Sequence, residues 1–303
     1  MRSAMGLDIG GTKCAAVIGT ADGRIIDRVA ISTPAETEDV PEALLGLLDT
    51  ITARNRTKPT DFDSLGVSFG GPVTAAGIPQ TPPNLPGWAG LDLCQLLALR
   101  FQNPIHIVND ANATAMAEHR WGAGRGFRHM AFLTLGTGIG GGLILDEKLY
   151  AGRDGLAGEI GHMILSPGGP LCACGKRGCL EALASGPAVA REARARYASD
   201  AITTEDVIAL ARSGDPIAAD VVMSASRWLG LGISHLLQIL NLECVVLGTL
   251  AVAAADLIIP TVCAVIAEAA WPSIAEGVAI VPAALGHAAQ DLAALAVALH
   301  HDS

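Results

Sequence analysis

The sequence predicts an α/β protein of two domains, and three observations carry that prediction. A short apolar run, a glycine-rich turn containing Gly-Thr and a second apolar run open the chain at Ala4–Ile18, and the same order returns at Met130–Leu145. Between and after these blocks lie longer segments whose apolar residues recur at helical spacing. The chain has 303 residues, against a usual domain of roughly 150. We read the pattern as a β-meander-then-helix domain that occurs twice.

The elements follow in order. Ala4–Ile9 reads as a strand, Gly10-Gly11-Thr12-Lys13 as a turn, Cys14–Ile18 as a strand, Ala21-Asp22-Gly23 as a turn and Ile25–Ile31 as a third strand. Strands this closely spaced leave no room for a crossover helix and must form a meander. Val40–Arg54 carries Leu44, Leu45, Leu47, Leu48 and Ile51 at helical spacing. Leu65–Phe69 is a buried strand that runs into Gly70-Gly71-Pro72, and the proline-rich stretch Gly77–Gly90 reads as an ordered loop. Ile105–Val108 is a strand ending in Asn109-Asp110, with a helix over Ala111–Trp121. The second block reads as strand Met130–Leu135, a glycine-rich turn and strand Leu143–Leu145. Helices are expected at Gly186–Tyr197, Thr204–Arg212, Asp215–Leu240 and Ala288–Leu299, with a strand at Glu243–Leu247.

Composition narrows the function classes. With 20 Lys plus Arg and 30 Asp plus Glu the net charge is −10. That sign disfavours nucleic-acid and anionic-membrane partners, which require basic patches. Half the residues are hydrophobic and only 17% charged, so the chain can bury a large core, built from aliphatic residues because aromatics are 4%. No signal-peptide run and no stretch of about 18 uninterrupted apolar residues is present. Seven cysteines without an export signal point to a reducing cytoplasm rather than to a disulfide framework.

Four motifs carry chemistry. Asp8-Ile9-Gly10-Gly11-Thr12-Lys13 places glycine N–H groups where a phosphate could approach without Cβ interference. Thr12 adds a hydroxyl, and Asp8 could hold Mg2+ through water. An ordinary hairpin turn explains the same residues. Leu135 through Gly142 formally meets the dinucleotide fingerprint at Gly136, Gly138 and Gly141, but a strand rather than a helix follows, which favours a second phosphate-cradling hairpin over a dehydrogenase. Asn109-Asp110 lies between a strand and a helix; it reads either as a helix cap or as a general base at a strand end. His162, Cys172, Cys174 and Cys179 form a Cys3His set able to close a structural Zn2+ site, with a disulfide or chance clustering as the alternatives. Cys14, Cys94, Cys244 and Cys263 read as core filler. Asn84, Glu159 and Glu181 are single polar residues beside glycines or the cysteine cluster.

Taken together and in this order, these motifs resemble the ROK family of repressors, open reading frames and sugar kinases. The resemblance runs from about Met5 to Leu299. It is carried by Asp-Ile-Gly-Gly-Thr-Lys at 8–13, Val-Asn-Asp-Ala-Asn-Ala at 108–113, Leu-Gly-Thr-Gly-Ile-Gly-Gly-Gly at 135–142, Glu-Ile-Gly-His at 159–162 and Cys-x-Cys-Gly-x-x-Gly-Cys-x-Glu at 172–181. It implies an actin-like ATPase (ribonuclease H-like) fold, two α/β domains around a cleft. The expected division is 1–110 plus the C-terminal helix 286–303, and 111–285 with the zinc-binding loop.

The resemblance also implies phosphoryl transfer from ATP to a hexose hydroxyl, normally the one on C6, with Asp110 as catalytic base. Gly71, Asn84, Asn109, Glu159, His162 and Glu181 would hold the sugar. Asp8, Gly10, Gly11, Thr12, Lys13, Thr137, Gly138 and Gly248 would face ATP and Mg2+. His162 would serve both the sugar and the zinc. The family usually has a triple-glycine run where this chain has Gly248-Thr249-Leu250, so donor choice is left open there. Sugar and ATP are the implied partners, in a homodimer or homotetramer. Glucose is the first expectation, because Glu-Ile-Gly-His and Asn-Leu-Pro-Gly-Trp at 84–88 look most like the glucokinases. N-acetylmannosamine, N-acetylglucosamine and fructose remain as alternatives. A sugar-binding repressor is disfavoured by the charge and by the position of Asp8. Because the glycine hairpins lie elsewhere in the chain, zinc loss is expected to weaken sugar binding before nucleotide binding.

Overall fold

A computed structural model of the protein describes residues 3–74, 76–80 and 85–300. In chain order its main elements are β1 (Ser3–Ile9), β2 (Lys13–Thr20), β3 (Ile25–Ser32), α1 (Val40–Asn55), β4 (Leu65–Phe69), α2 (Leu93–Leu97), β5 (Ile105–Asn109) and α3 (Asp110–Trp121). There follow β6 (Met130–Leu135), β7 (Ile139–Leu145), β8 (Lys148–Leu149), α4 (Leu180–Ala184), α5 (Gly186–Tyr197), α6 (Thr204–Arg212), α7 (Pro216–Leu240) and β9 (Cys244–Leu247). The last are α8 (Leu250–Ala253), α9 (Ala255–Ala269), α10 (Pro272–Ala275), β10 (Ala279–Pro282) and α11 (Ala289–Ala298).

Two sheets of one topology result. The first runs β3-β2-β1-β4-β5 and the second β8-β7-β6-β9-β10. In each, the first strand pairs antiparallel with the next and parallel with the fourth, and the fourth and fifth are parallel. The duplicated order expected from the two Gly-Thr turns is therefore present. The chain divides into one unit of Met1–Arg125, Leu149–Ala157 and Leu285–Ser303 and another of Gly126–Lys148 and Gly158–Ala284. Helix α3 belongs to the first unit, whereas the boundary expected at 110/111 had assigned it to the second.

In the first unit the strand residues alternate between two covered faces. Met5, Leu7, Ile9, Val67 and Phe69 join a core with Leu44, Leu48 and Ile51 of α1. The opposite face receives α11 at very close range. A Cβ on Gly66 would stand 2.2 Å from the Ala294 oxygen and the Ala298 nitrogen, and one on Gly6 would stand 2.7 Å from the Ala294 Cβ. Glycine on the strands and alanine on the helix are what permit this contact. The second unit is organised on the 25-residue helix α7, begun by Asp215, whose side chain accepts from Ala218 N. Such a cap stabilises a helix by about 1 kcal/mol.

Two regions differ from expectation. Strand β7 begins at Ile139, so Gly140, Gly141 and Gly142 lie in the strand and not in the turn. A Cβ on Gly141 would meet Ile160 Cδ1 at 2.5 Å and the Gly158 oxygen at 2.8 Å. Gly141 makes room for the segment 158–162 rather than turning the chain. A dinucleotide-binding helix at Gly141 is thereby excluded. Residues 250–282, to which the sequence assigned no element, form α8, α9, α10 and β10; α9 is apolar nearly all round and lacks the contrast that reveals a helix by period.

Candidate functional site

The first unit gathers its polar residues at the carboxyl ends of three parallel strands, where α/β sheets place ligand groups. The register pairs Asp8 of β1 with Ser68 of β4 and Phe69 of β4 with Asn109 of β5. Beyond the strand ends come the Gly10–Lys13 turn, Gly70-Gly71 and Asp110. The turn is closed by Gly10 N donating to Lys13 O at 3.0 Å and is braced by the Thr33 hydroxyl, which donates to Gly10 O at 2.6 Å. Gly11, Thr12 and Lys13 are exposed.

Asn109 caps α3: its Oδ1 accepts from Ala111 N at 2.9 Å and Asn112 N at 3.1 Å. Its Nδ2 donates to Gly71 O at 3.4 Å and to Asp110 Oδ1 at 3.1 Å. The capping task thus belongs mainly to Asn109, while Asp110 is the first helical residue and is exposed. Asp110 Oδ1 also accepts from Ala111 N at 2.9 Å, and an anionic group at a helix N-terminus is favoured by the dipole. Asp8 is 4% exposed. Burial raises its carboxyl to about 6, with the Asp291 and Asp110 carboxylates adding to the shift and Ser68 and Lys13 opposing it.

In the second unit His162, Cys172, Cys174 and Cys179 present ligand atoms that all lie within 4.8 Å of one another. Cys174 Sγ and Cys179 Sγ are 3.7 Å apart, and Cys172 Sγ is 3.6 Å from His162 Nδ1. A tetrahedral ion with Zn–S bonds of about 2.3 Å sets its sulfurs roughly 3.8 Å apart, so the donor set fits zinc in both chemistry and spacing. The separation is far too long for a disulfide, and the seven cysteines are free thiols. With Nδ1 turned to the cysteines, His162 Nε2 faces Glu159 Oε2 at 3.7 Å.

Glu181 joins this cluster to the second glycine turn. Its Oε1 accepts from Cys172 Sγ at 3.4 Å, and its Oε2 accepts from Ile139 N at 3.1 Å. A Cβ on Gly138 would stand 2.5 Å from that same Oε2. The separation expected between zinc loop and glycine hairpin therefore does not hold for residues 135–142, because chain distance is bridged by one carboxylate.

Beside the same turn lies a cavity of about 850 Å3. Gly136 and Thr137 form one wall, Pro187, Arg194 and Ile208 from α5 and α6 another, and Thr249 with Leu250 a third. Gly248 is buried instead, with the Phe132 ring 2.9 Å from where its Cβ would stand. The walls from α5 and α6 carry no motif that marks them in the sequence. Asn84 lies outside the described residues. The remaining candidates fall into two sets: Asp8, Gly10, Gly11, Thr12, Lys13, Gly71, Asn109 and Asp110 in the first unit, and Thr137, Gly138, Glu159, His162, Cys172, Cys174, Cys179, Glu181 and Gly248 in the second. Among the described residues no helix is long and apolar enough to cross a membrane.

Comparison with known proteins agrees with the motifs. The family model described as ROK family matches residues 4–301. A glucokinase of Thermotoga maritima is 34% identical over 259 residues, 80% of each chain. An N-acetylmannosamine kinase of Yersinia pseudotuberculosis is 36% identical over 251 residues, 82% of this chain and 83% of the other. A ROK family glucokinase from Streptomyces griseus, solved in complex with glucose and AMPPNP, superposes with a TM-score of 0.79 at 30% identity, covering 99% of this chain and 100% of that one. The fold is that of the actin-like ATPases, and the chain belongs to the ROK family, as one of its sugar kinases.

Proposed function

We propose that this ATP-dependent sugar kinase transfers the γ-phosphoryl group of ATP to the 6-hydroxyl of glucose. The observation that carries the reading is the arrangement at the β1, β4 and β5 ends. An exposed glycine turn, a buried carboxylate and an exposed Asp110 held by its neighbours share one end of a sheet. Phosphoryl transfer needs positioning and charge neutralisation more than covalent help. Asp110 takes the proton of the attacking hydroxyl. Asn109 holds that carboxylate through Nδ2 and, with Gly71, Asn84, Glu159, His162 and Glu181, binds the sugar hydroxyls.

The turn at Gly10–Lys13, the turn at Thr137–Gly138 and the adjoining cavity bind the nucleotide. Mg2+ bound through water at Asp8 would neutralise phosphate charge. His162, Cys172, Cys174 and Cys179 would hold a structural zinc ion, which would fix the His162 nitrogen that remains available to a sugar hydroxyl. Glucose is favoured by the intact Glu-Ile-Gly-His segment and by Asn-Leu-Pro-Gly-Trp at 84–88. The likeness to an N-acetylmannosamine kinase favours that sugar as the second reading. A coupled ADP-release assay over a hexose panel tests both. The highest kcat/KM is expected for glucose; a higher value for N-acetylmannosamine would replace the first reading by the second, and no turnover of any hexose would remove both.

A further inference from the structure

The junction between β9 and α8 holds a threonine in a backbone conformation that suits glycine. Arg56, Ala198 and Asn241 also have positive φ, but their ψ values of 36°, 42° and 54° are those of ordinary left-handed helix ends. Thr249 has φ 52° and ψ −108°. That is the first central position of a type II′ turn, where a Cβ is crowded and a β-branched residue most of all. The turn is closed by Ala251 N donating to Gly248 O at 3.2 Å, and Val252 N donates to Thr249 O at 3.0 Å as α8 begins.

Strain of this kind persists only where surrounding contacts hold it, and those contacts point toward the cavity. Thr249 Oγ1 lies 2.9 Å from Thr134 Oγ1, at the end of β6. Gly248 N donates to Leu133 O at 2.8 Å, tying the same turn to the same strand. The Thr249 methyl carbon is 3.7 Å from where a Cβ on Gly136 would stand, so it covers the glycine turn directly. Two walls of the cavity, Gly136-Thr137 and Thr249-Leu250, are thus joined through one side chain.

We propose that Thr249 is a positioning residue of the nucleotide subsite: its hydroxyl clasps Thr134 and its methyl buttresses Gly136, which holds the Gly136-Thr137 turn in place for the donor phosphates. The inference rests on reading the cavity as the nucleotide site. Its test combines ATP and sugar KM with thermal melting on four variants. Thr249→Gly removes the clasp and the strain together, so the KM for ATP rises about two- to tenfold, the loss of one neutral hydrogen bond. The sugar KM stays unchanged and Tm does not fall. Thr249→Ser restores most of the ATP KM. Thr134→Val reproduces the Thr249→Gly defect, and combining the two adds nothing further.

An unchanged ATP KM in Thr249→Gly, a Thr249→Ser protein as weak as Thr249→Gly, or equal losses for both substrates with a lowered Tm would each overturn the proposal. Ala209→Trp, which fills the cavity from the exposed side of α6, separates this from the reading beneath it. If Ala209→Trp weakens ATP and Thr249→Gly does not, only the clasp fails. If Ala209→Trp leaves ATP KM unchanged, the nucleotide reading fails and the clasp with it.

Discussion

Asn109 and Asp110 divide two tasks that one residue type could perform. The asparagine spends its oxygen on the helix cap and its nitrogen on Gly71 and on the aspartate, which leaves Asp110 oriented at a strand end rather than consumed as a cap. Asp110→Asn should lower kcat by about 10²–10⁴ while equilibrium sugar binding survives, because a general base acts only in the transition state. Near-wild-type turnover would return Asp110 to a structural role. Asp8 gives a second test. Its folded carboxyl is raised to about 6 from 3.8, so the ionised form that could take Mg2+ is lost as pH falls through about 6. An acid limb in kcat/KM for ATP, which reports the free enzyme, is expected near that pH, and a lower one in kcat, where a bound cation draws the value down. For stability the sign is opposite. The protonated form suits the fold, and that advantage, complete below pH 3.8, is lost as pH rises through about 6. Asp8→Asn should therefore raise Tm at pH 7.5 without divalent cations and change it little near pH 4; a pH-independent difference would refute the assignment.

At the scale of elements, the loop from Gly158 to α4 works as one piece. Segment 158–162 lies on the glycines of β7, the cysteine cluster follows, and Glu181 on α4 reaches back to Ile139 N. Losing the metal should then disturb Glu159, His162 and Glu181 first and the Thr137-Gly138 turn through Glu181. In a folded Cys179→Ser protein, zinc content should fall and the sugar KM should rise about 10–100-fold, the usual effect of disturbing groups that a metal site orients. The ATP KM should rise as well, by a smaller factor. Parallel losses that track the fraction unfolded in a circular-dichroism melt would mean that zinc only stabilises the fold.

For the whole molecule, one buried side chain braces two places where the chain passes between units. Glu118 on α3 is fully buried. Its Oε2 accepts from Ala123 N at 2.8 Å and its Oε1 from Leu285 N at 3.1 Å. The chain first leaves the first unit after Arg125 and, after a return over Leu149–Ala157, re-enters it for the last time at Leu285. Gly122 is what admits the carboxylate, since a Cβ there would stand 1.9 Å from Oε2. Glu118→Ala strands both N–H groups, at about 1–3 kcal/mol each, so Tm should drop by roughly 5–15 °C. Glu118→Gln, which keeps one acceptor, should lose less. A differential scanning calorimetry trace unchanged in Glu118→Ala would contradict this role.

Features written in neighbouring residues were determined by the sequence itself. The two Gly-Thr turns, the strand that stops at Asn109-Asp110, the long helix after Asp215 and the Cys3His spacing each depend on a few consecutive positions, so local chemistry suffices to read them. Tertiary structure decided the rest. Which of Asn109 and Asp110 caps α3 depends on where Gly71 arrives, and that follows from the parallel β4/β5 register. Whether Gly140–Gly142 form turn or strand depends on the β6 pairing and on segment 158–162 packing at Gly141. The cavity walls from α5 and α6, the reach of Glu181 to Ile139 and the clasp of Thr249 on Thr134 join residues 42 or more positions apart. Such contacts carry no local pattern, because their energy comes from partners that only the folded sheet brings together.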